Sequence, residues 1–299
     1  MHKKLSKVLR GLYIHIILLI VYIPLFFAAV FSFNKPTEKG FIRSSWNGFT
    51  GDNWKYFFNE GRGIALLNSI IIAVAVSILV VIIALLTCYG MWRQKNKRYV
   101  QVVHAINNVK LINPDNIIAL GLALLFAALF GTLVNTQEGL LRGIVGHTVM
   151  ALPYGITLMF PRSEKFQLSQ LEAAQDLGYN KVRAWFKTYF VFMIPSILFT
   201  ALVAAFLSFD DFIILRTVSN TSTLGTKLYE GEFRAWGLVV GAALLIIVIA
   251  SNIFYIAFKS ISISRMNKKL RANRHSKHSL LFQEPKTETI TIGGNHGQQ

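Results

Sequence analysis

Three acidic residues lie inside long apolar stretches of the sequence, where a charged side chain is costly. They are Asp115 and the adjacent pair Asp210 and Asp211, which has apolar residues on both sides. A carboxylate inside a membrane has to pair with another charge or line a polar path, so such residues are functional candidates by default. We expect these three to line a path for a cation. The structural alternative is that they pair with Lys110 or Arg216, or cap a broken helix.

Helix geometry limits what the three carboxylates can do together. Neighbouring residues on a helix point about 100° apart, so at most one of Asp210 and Asp211 need face a given path. Asp115 follows Pro114, a position that also suits the first-turn acid of a helix. An intramembrane aspartyl protease would likewise need two acids on separate helices, but a Gly-x-Gly-Asp segment does not occur in the sequence.

The elements that must position these residues are membrane-spanning helices. Apolar residues make up 53% of the 299 residues and charged residues only 15%, a composition typical of integral membrane proteins. A helix needs about 20 apolar residues to cross the hydrocarbon core. The sequence therefore predicts an all-α transmembrane bundle of about six spans, at residues 12–33, 64–89, 113–134, 141–160, 189–215 and 236–258, the third with an alternative start near Val100.

The basic residues predict the orientation of the bundle. The net charge of +17 would indicate a nucleic-acid partner in a soluble protein, but here it lies between and beyond the apolar runs, where it sets topology and holds anionic membrane lipid. With six spans, one side of the membrane carries 22 of the 31 Lys and Arg residues, including both termini. We therefore expect a multi-pass plasma-membrane protein with a cytoplasmic N-terminus at 1–11, a transmembrane domain at 12–258 and a basic, disordered cytoplasmic tail at 259–299.

One cytoplasmic loop, at residues 162–188, has an unusually specific pattern. Its central part contains Glu172-Ala173-Ala174, and Gly178 follows after three further residues. The strong helix formers before Gly178 predict a short helix with Leu168, Leu171 and Ala174 on one face, and Gly178 is well placed to end it. The loop is therefore predicted to form a short helix, a turn and a second helix.

This loop resembles the EAA loop of the membrane subunits of binding-protein-dependent ABC importers. The matching residues are Glu172, Ala173, Ala174 and Gly178, with Pro195 as the downstream element in the next span. The resemblance implies a type I ABC importer permease fold. It also implies that the loop forms a coupling helix, which seats in a groove of a cytoplasmic ATPase.

The resemblance extends over most of the chain, from about Tyr22 to Phe258. Within that family the chain is most similar to the spermidine/putrescine permeases, in particular their second (C-type) subunit. The matching segments, in order, are Tyr22-Ile23-Pro24, Ser32-Phe33-Asn34, Trp46-Asn47-Gly48-Phe49-Thr50 with Trp54, Asn68-Ser69, Asn113-Pro114-Asp115 and Ser208-Phe209-Asp210-Asp211. This similarity implies a heterodimer with a sister permease, two ATPase subunits and an extracytoplasmic polyamine-binding protein.

The chemistry of a polyamine agrees with that resemblance. Several ammonium groups on an apolar chain call for carboxylates and for aromatic faces that make cation–π contacts. Asp115, Asp210 and Asp211 supply the carboxylates, and Trp54 is the aromatic candidate, with an interfacial belt position as its alternative.

The energy source and the rival functions follow from what the sequence contains. No Gly-x-x-x-x-Gly-Lys-Ser/Thr phosphate loop occurs, so we expect a non-catalytic subunit without a cofactor or metal of its own, served by ATP and Mg²⁺ in the partner subunits. Iron, thiamine and sulfate permeases share the expected fold and remain alternatives, although acids within the spans argue against sulfate. A secondary transporter would need no ATPase and would leave the loop at Glu172 without a purpose.

Overall fold

The computed structural model describes residues 2–133, 136–230 and 234–281. Within these residues the secondary structure is helical apart from isolated β-bridges at Asn34–Phe49 and Phe41–Arg234. The helices are α1 (His2–Phe31), α2 (Asp52–Lys55), α3 (Arg62–Arg93), α4 (Lys97–Ile112), α5 (Asp115–Phe130), α6 (Thr136–Ser163), α7 (Leu168–Asp176), α8 (Lys181–Trp185), a π-helical turn (Phe186–Phe190), α9 (Val191–Asp210), α10 (Ile213–Val218), α11 (Leu224–Tyr229) and α12 (Ala235–Leu281).

The predicted all-α membrane fold is confirmed, and each predicted span corresponds to a helical region. Among the described residues, four helical stretches are long and apolar enough to cross a membrane. They are Arg62–Arg93, Glu138–Ser163, Lys181–Asp210 and Ala235–Ser260, and the bent pair α4–α5 would make a fifth. The apolar part of α1, Ile16–Phe31, is shorter than a full span. The first predicted span, at residues 12–33, therefore stays a prediction.

The third predicted span is not a straight helix. The chain bends by 99° between α4 and α5, around Asn113 and Pro114. Pro114 has no N–H to donate to the preceding turn, and the residue before a proline avoids the helical region. Asn107 fixes α4 on α6, since its buried side-chain amide donates to the Pro153 carbonyl (3.2 Å) and to Thr157 Oγ1 (3.0 Å).

Two further boundaries differ from the predictions. The fifth span was predicted to end at residue 215, but the helix ends at Asp210 and a separate helix, α10, begins at Ile213. Asp210 and Asp211 therefore lie at a helix break rather than within a helix. The tail was predicted to be disordered, whereas α12 remains helical to Leu281; residues 282–299 of that tail lie outside the described residues.

The chain forms two compact units, Met1–Ala29 with Val240–Gln299, and Val30–Val239. The second unit contains all of the predicted site residues. Its centre is the three-helix contact of α3, α6 and α9. The buried side chains there include Ile72, Val76, Val80, Ala151 and Ala204.

A glycine permits a close approach of the three helices in this bundle. A Cβ at Gly155 on α6 would come 2.7 Å from Val80 Cγ1 and 3.2 Å from Ala84 Cβ on α3, and 3.4 Å from Thr200 Cγ2 on α9. Interiors are packed as densely as organic crystals, so such a contact leaves no room for a side chain.

We expect Gly155→Leu to prevent stable packing of the bundle. Overpacking a core costs about 1–3 kcal/mol even where neighbours can shift, and here two helices would have to separate. The yield of monodisperse protein and its melting temperature in detergent should both fall sharply. Gly121→Leu on α5 is the matched control, because nothing lies within 4 Å of a Cβ there; equal behaviour of the two variants would contradict the packing argument.

Candidate functional site

The loop at 162–188 folds as a helix, a turn and a second helix, as the sequence predicts. We call α7, the turn and α8 the coupling segment. Leu171 and Ala174 are buried against the bundle, whereas Glu172 and Ala173 are exposed. Leu168, predicted to share the face of Leu171, is instead 51% exposed. The inward side of the coupling segment is thus apolar, and Glu172 and Ala173 face outward.

Gly178 ends α7 in a left-handed conformation. Its φ is +83°, a value that residues with a Cβ rarely adopt. The Gly178 N–H donates to the Gln175 carbonyl (2.8 Å), and the Tyr179 N–H donates to the Ala174 carbonyl (3.2 Å). This pair of bonds is the Schellman arrangement, which satisfies carbonyls at a helix end and fixes the exit direction of the chain.

Side-chain contacts fasten the base of the coupling segment to the bundle. Ser163 Oγ at the end of α6 donates to the Cys88 carbonyl on α3 (3.2 Å) and lies 2.7 Å from the hydroxyl of the fully buried Tyr189. Arg162 donates through Nε to the Phe192 carbonyl (2.7 Å). The base of the segment is therefore attached to α3, α6 and the start of α9.

The outer surface of the coupling segment carries an apolar side chain without a place in the bundle. Leu177 is 78% exposed, although it belongs to a polar loop rather than to a span. An exposed leucine beside exposed Glu172 and Asp176 combines an apolar anchor with a polar surround, which is typical of a protein interface.

Asp115 is engaged in an ion pair. Lys110 Nζ at the end of α4 donates to Asp115 Oδ1 at 2.8 Å, across the bend between α4 and α5. The carboxylate also stands in the first turn of α5, where it complements the helix dipole. Both structural alternatives considered for this residue therefore hold in the structure, and 41% of the side chain is still exposed.

Asp211 lies partly buried at the break between α9 and α10. Its Oδ2 accepts the backbone N–H of Ile214 in the first turn of α10 (3.0 Å). The same oxygen lies 3.5 Å from His147 Nε2 on α6. The structure therefore brings together two ionisable residues from different predicted spans, 141–160 and 189–215.

His147 is a member of this group that the sequence interpretation missed. The side chain is fully buried, and neither ring nitrogen has a hydrogen-bond partner within the described residues. His147 lies in the predicted span 141–160, and an ionisable residue within a span is the sequence signal that identifies it as a candidate. Ser208 Oγ, one turn before Asp211, is likewise buried and without a partner in the described part of the chain.

Asp210 differs from its neighbour because its side chain points outward. It is exposed, and it makes no hydrogen bond or ion pair with any residue that the structure describes. The backbone beside it is tightly held: a Cβ at Gly225 on α11 would lie 2.9 Å from the Asp211 carbonyl oxygen and 3.1 Å from that of Asp210. The pair therefore divides into one carboxylate that caps a helix and one that is available to a ligand.

Asn68 and Ser69 of α3, a segment that belongs to the family resemblance, hold the start of α11 in place. The Asn68 side-chain amide donates to the Ser222 carbonyl (2.9 Å), and Ser69 Oγ accepts the N–H of Leu224 (2.8 Å). These two residues act on the helix break through the position of α11.

Trp54 lies apart from the carboxylates, in the region between α1 and α3. Its ring stacks on Phe33 with centroids 5.5 Å apart, and its indole N–H donates to Ser32 Oγ (3.1 Å). Asn34 supports the same loop by accepting the N–H of Asn47 (2.8 Å). The polar edge of Trp54 is thus used within the loop, and its role toward a cation stays a prediction.

Comparison with known proteins agrees with this geometry. No protein-family model matches the chain. It is 30% identical to the spermidine/putrescine transport system permease protein PotC homolog of Mycoplasma pneumoniae, over 84% of this chain and 92% of that protein. Identity to PotC of Escherichia coli K12 is 26%, covering 83% of this chain and 94% of the relative.

A solved structure shares the fold. The crystal structure of a bacterial ABC transporter involved in the import of the acidic polysaccharide alginate contains a chain that aligns with a TM-score of 0.58 at 14% identity, over 86% of this chain and 96% of that one. An identity this low supports the fold alone, whereas the Mycoplasma pneumoniae relative supports the family. The chain therefore belongs to the PotC-type family of spermidine/putrescine transport system permease proteins.

Proposed function

We propose that this chain is the membrane-spanning permease subunit of an ATP-driven importer that carries polyamines, such as spermidine and putrescine, into the cell. The observation that carries the proposal is the coupling segment, in which Glu172, Ala173 and Leu177 face outward on a helix that ends at Gly178. The names of the curated relatives support the substrate class.

In this proposal the chain works with partners and hydrolyses nothing itself. It pairs with a sister permease as a heterodimer in the plasma membrane, with both termini in the cytoplasm. Two ATPase subunits bind ATP with Mg²⁺ and receive the coupling segment, and an extracytoplasmic protein delivers the polyamine. Glu172, Ala173, Ala174 and Gly178 couple the permease to the ATPases.

The substrate path in this proposal runs past the helix break. Asp210 is the carboxylate that meets an ammonium group directly, since it is exposed and has no partner in the described part of the chain. Asp211 at the same break supplies further negative charge, as does Asp115 in the first turn of α5, which packs against α10, and Trp54 offers an aromatic face. Closure of the ATPase dimer moves the coupling segment and swings the third to fifth spans between outward and inward access.

Reconstitution with partner subunits tests the proposed function. The chain should be co-purified with its ATPase and sister permease, placed in liposomes with the binding protein, and assayed with labelled spermidine. We expect ATP-dependent accumulation that unlabelled putrescine reduces and sulfate does not. Accumulation that persists without ATP, driven by an ion gradient, would instead assign the chain to the secondary transporters.

A further inference from the structure

An apolar groove lies between the second half of α3 on one side and α8 with the π-helical turn on the other. Its volume is 560 Å³, within the usual range of sites for whole small molecules. The π-helical turn Phe186–Phe190 forms part of one wall, and such turns frequently mark functional sites. The lining residues are Ile82, Leu85, Leu86, Tyr89, Lys181, Val182, Trp185, Phe186 and Phe190.

The walls of the groove face outward from the bundle. Leu86 and Phe186 are more than half exposed, although both belong to helical stretches that qualify as membrane spans. The lining offers few hydrogen-bonding groups, among them the Lys181 ammonium and the Tyr89 hydroxyl. An extended peptide in the groove would leave most of its backbone N–H and C=O groups unsatisfied, whereas a hydrocarbon chain needs no such partners.

One end of the groove is basic. Lys181 lines it, and Arg93, one turn beyond Tyr89 on α3, donates through Nη1 to the Tyr89 hydroxyl at 3.2 Å. Neither cation forms an ion pair with a residue that the structure describes, and no carboxylate lines the groove. Tyr89 and Trp185 stand beside these cations, their rings 6.0 Å apart, and amphipathic aromatics of this kind mark the depth of lipid headgroups.

We propose that this groove binds one anionic phospholipid. An acyl chain fills the space between α3 and the π-helical turn, and the phosphate lies at the end marked by Lys181 and Arg93. Basic pockets between membrane helices bind the headgroups of anionic lipids in this way. Because Trp185 ends the coupling segment and Phe186 directly follows it, the bound lipid would contact the point at which that segment joins the bundle. The proposal concerns a lipid site and does not depend on which substrate is carried.

Lipid titration of the full-length chain tests the site. The delipidated protein in nonionic detergent is titrated with dioleoyl phosphatidylglycerol, dioleoyl phosphatidylcholine or glycerol 3-phosphate, and bound molecules are counted by native mass spectrometry. We expect one phosphatidylglycerol to be retained in preference to phosphatidylcholine, and no retention of glycerol 3-phosphate. Retention of the two lipids to the same extent would overturn the proposal.

Variants locate the bound lipid. Lys181→Gln and Arg93→Gln should each weaken phosphatidylglycerol retention about fivefold, since a basic residue near anionic lipid contributes about 1 kcal/mol. Leu86→Trp should fill the groove and remove the preferential retention altogether. Arg183→Gln is the matched control, because Arg183 is an exposed cation on the same short helix that lies over the Tyr179 ring instead of lining the groove. Unchanged retention in Leu86→Trp would place the lipid elsewhere and refute the site.

A crosslinking arm distinguishes lipid from a protein neighbour. Leu86→Cys, introduced together with Cys88→Ala, gives a single thiol at the groove. In membranes that hold the assembled transporter, a photoactivatable phosphatidylglycerol should label the peptide containing residue 86. Efficient thiol crosslinking of residue 86 to another polypeptide would show that a subunit covers the groove and would overturn the lipid assignment.

Discussion

Gly178→Val is expected to reduce polyamine uptake roughly tenfold or more, since the left-handed backbone costs a residue with a Cβ about 1–2 kcal/mol and a β-branched residue is especially strained there. The substitution introduces no clash, because nothing lies within 4 Å of a Cβ at this position. The valine would instead disrupt the two terminal hydrogen bonds of α7 and redirect the exit of the chain. Insertion and stability of the bundle should be almost unchanged, because the apolar spans determine both. Uptake of labelled spermidine by cells that express the whole transporter measures the effect.

Two further variants separate backbone strain from a general sensitivity to substitution. Gly178→Asn should retain most of the uptake, since asparagine tolerates the left-handed region and is a regular substitute for glycine at helix ends. Gly90→Val on α3 is the matched control, because Gly90 is also free of contacts to a Cβ but has no positive φ. Normal uptake by Gly178→Val, at normal membrane abundance, would refute the coupling role.

Neutralising Asp210 and Asp211 together is expected to abolish polyamine uptake. Loss of a hydrogen bond to a charged group costs about 1.5–3 kcal/mol, which predicts a fall of roughly 10- to 100-fold for Asp210→Asn alone. The double variant Asp210→Asn/Asp211→Asn also removes the second negative charge at the helix break. Asparagine still caps a helix, so the double variant should fold, and its melting temperature should be close to that of the unmodified protein.

Asp211→Ala separates the capping role from the charge. Loss of the bond to the Ile214 N–H should lower the free energy of unfolding by about 0.5–2 kcal/mol, the usual cost of losing a helix cap. The melting temperature of Asp211→Ala should therefore fall, whereas that of Asp211→Asn should stay unchanged. Glu38→Gln neutralises an exposed acid outside the helix break and should leave uptake intact. An unaltered uptake rate in the double variant would give these acids a structural role only.

The local features of the fold were predictable from sequence, because each depends on neighbouring residues. Gly178 ends a helix of strong helix formers, and a glycine is the usual residue at such an end. Pro114 marks a break in the same way. The segments around Glu172 and Asn68 are among those that carry the family resemblance, and both contact the rest of the bundle.

The features that were missed depend on long-range contacts. The apolar run from Tyr189 to Leu215 gives no local reason for a helix to stop at Asp210, and the break is stabilised by α11, which packs Gly225 against the carbonyls of the acids. The packing of α5, which begins at Asp115, against α10 depends on the bend at Pro114. His147 is recognisable in the sequence as an ionisable residue within a span, but its neighbour Asp211 is supplied only by the tertiary packing. Leu168 shares the helical periodicity of Leu171, but the bundle covers only part of that face.

The second helix of the coupling segment, α8, and Asp210 belong to one helical stretch, Lys181–Asp210. At about 1.5 Å per residue, this stretch is roughly 45 Å long. In the proposed function it would act as a lever between the surface that receives the ATPase and the Asp210 carboxylate. A tilt of only about 10° around one end would displace the other by roughly 8 Å, more than the span of an ammonium–carboxylate contact. A small movement at one face of the membrane would then be enough to open or close a passage near Asp210, without any refolding between the two.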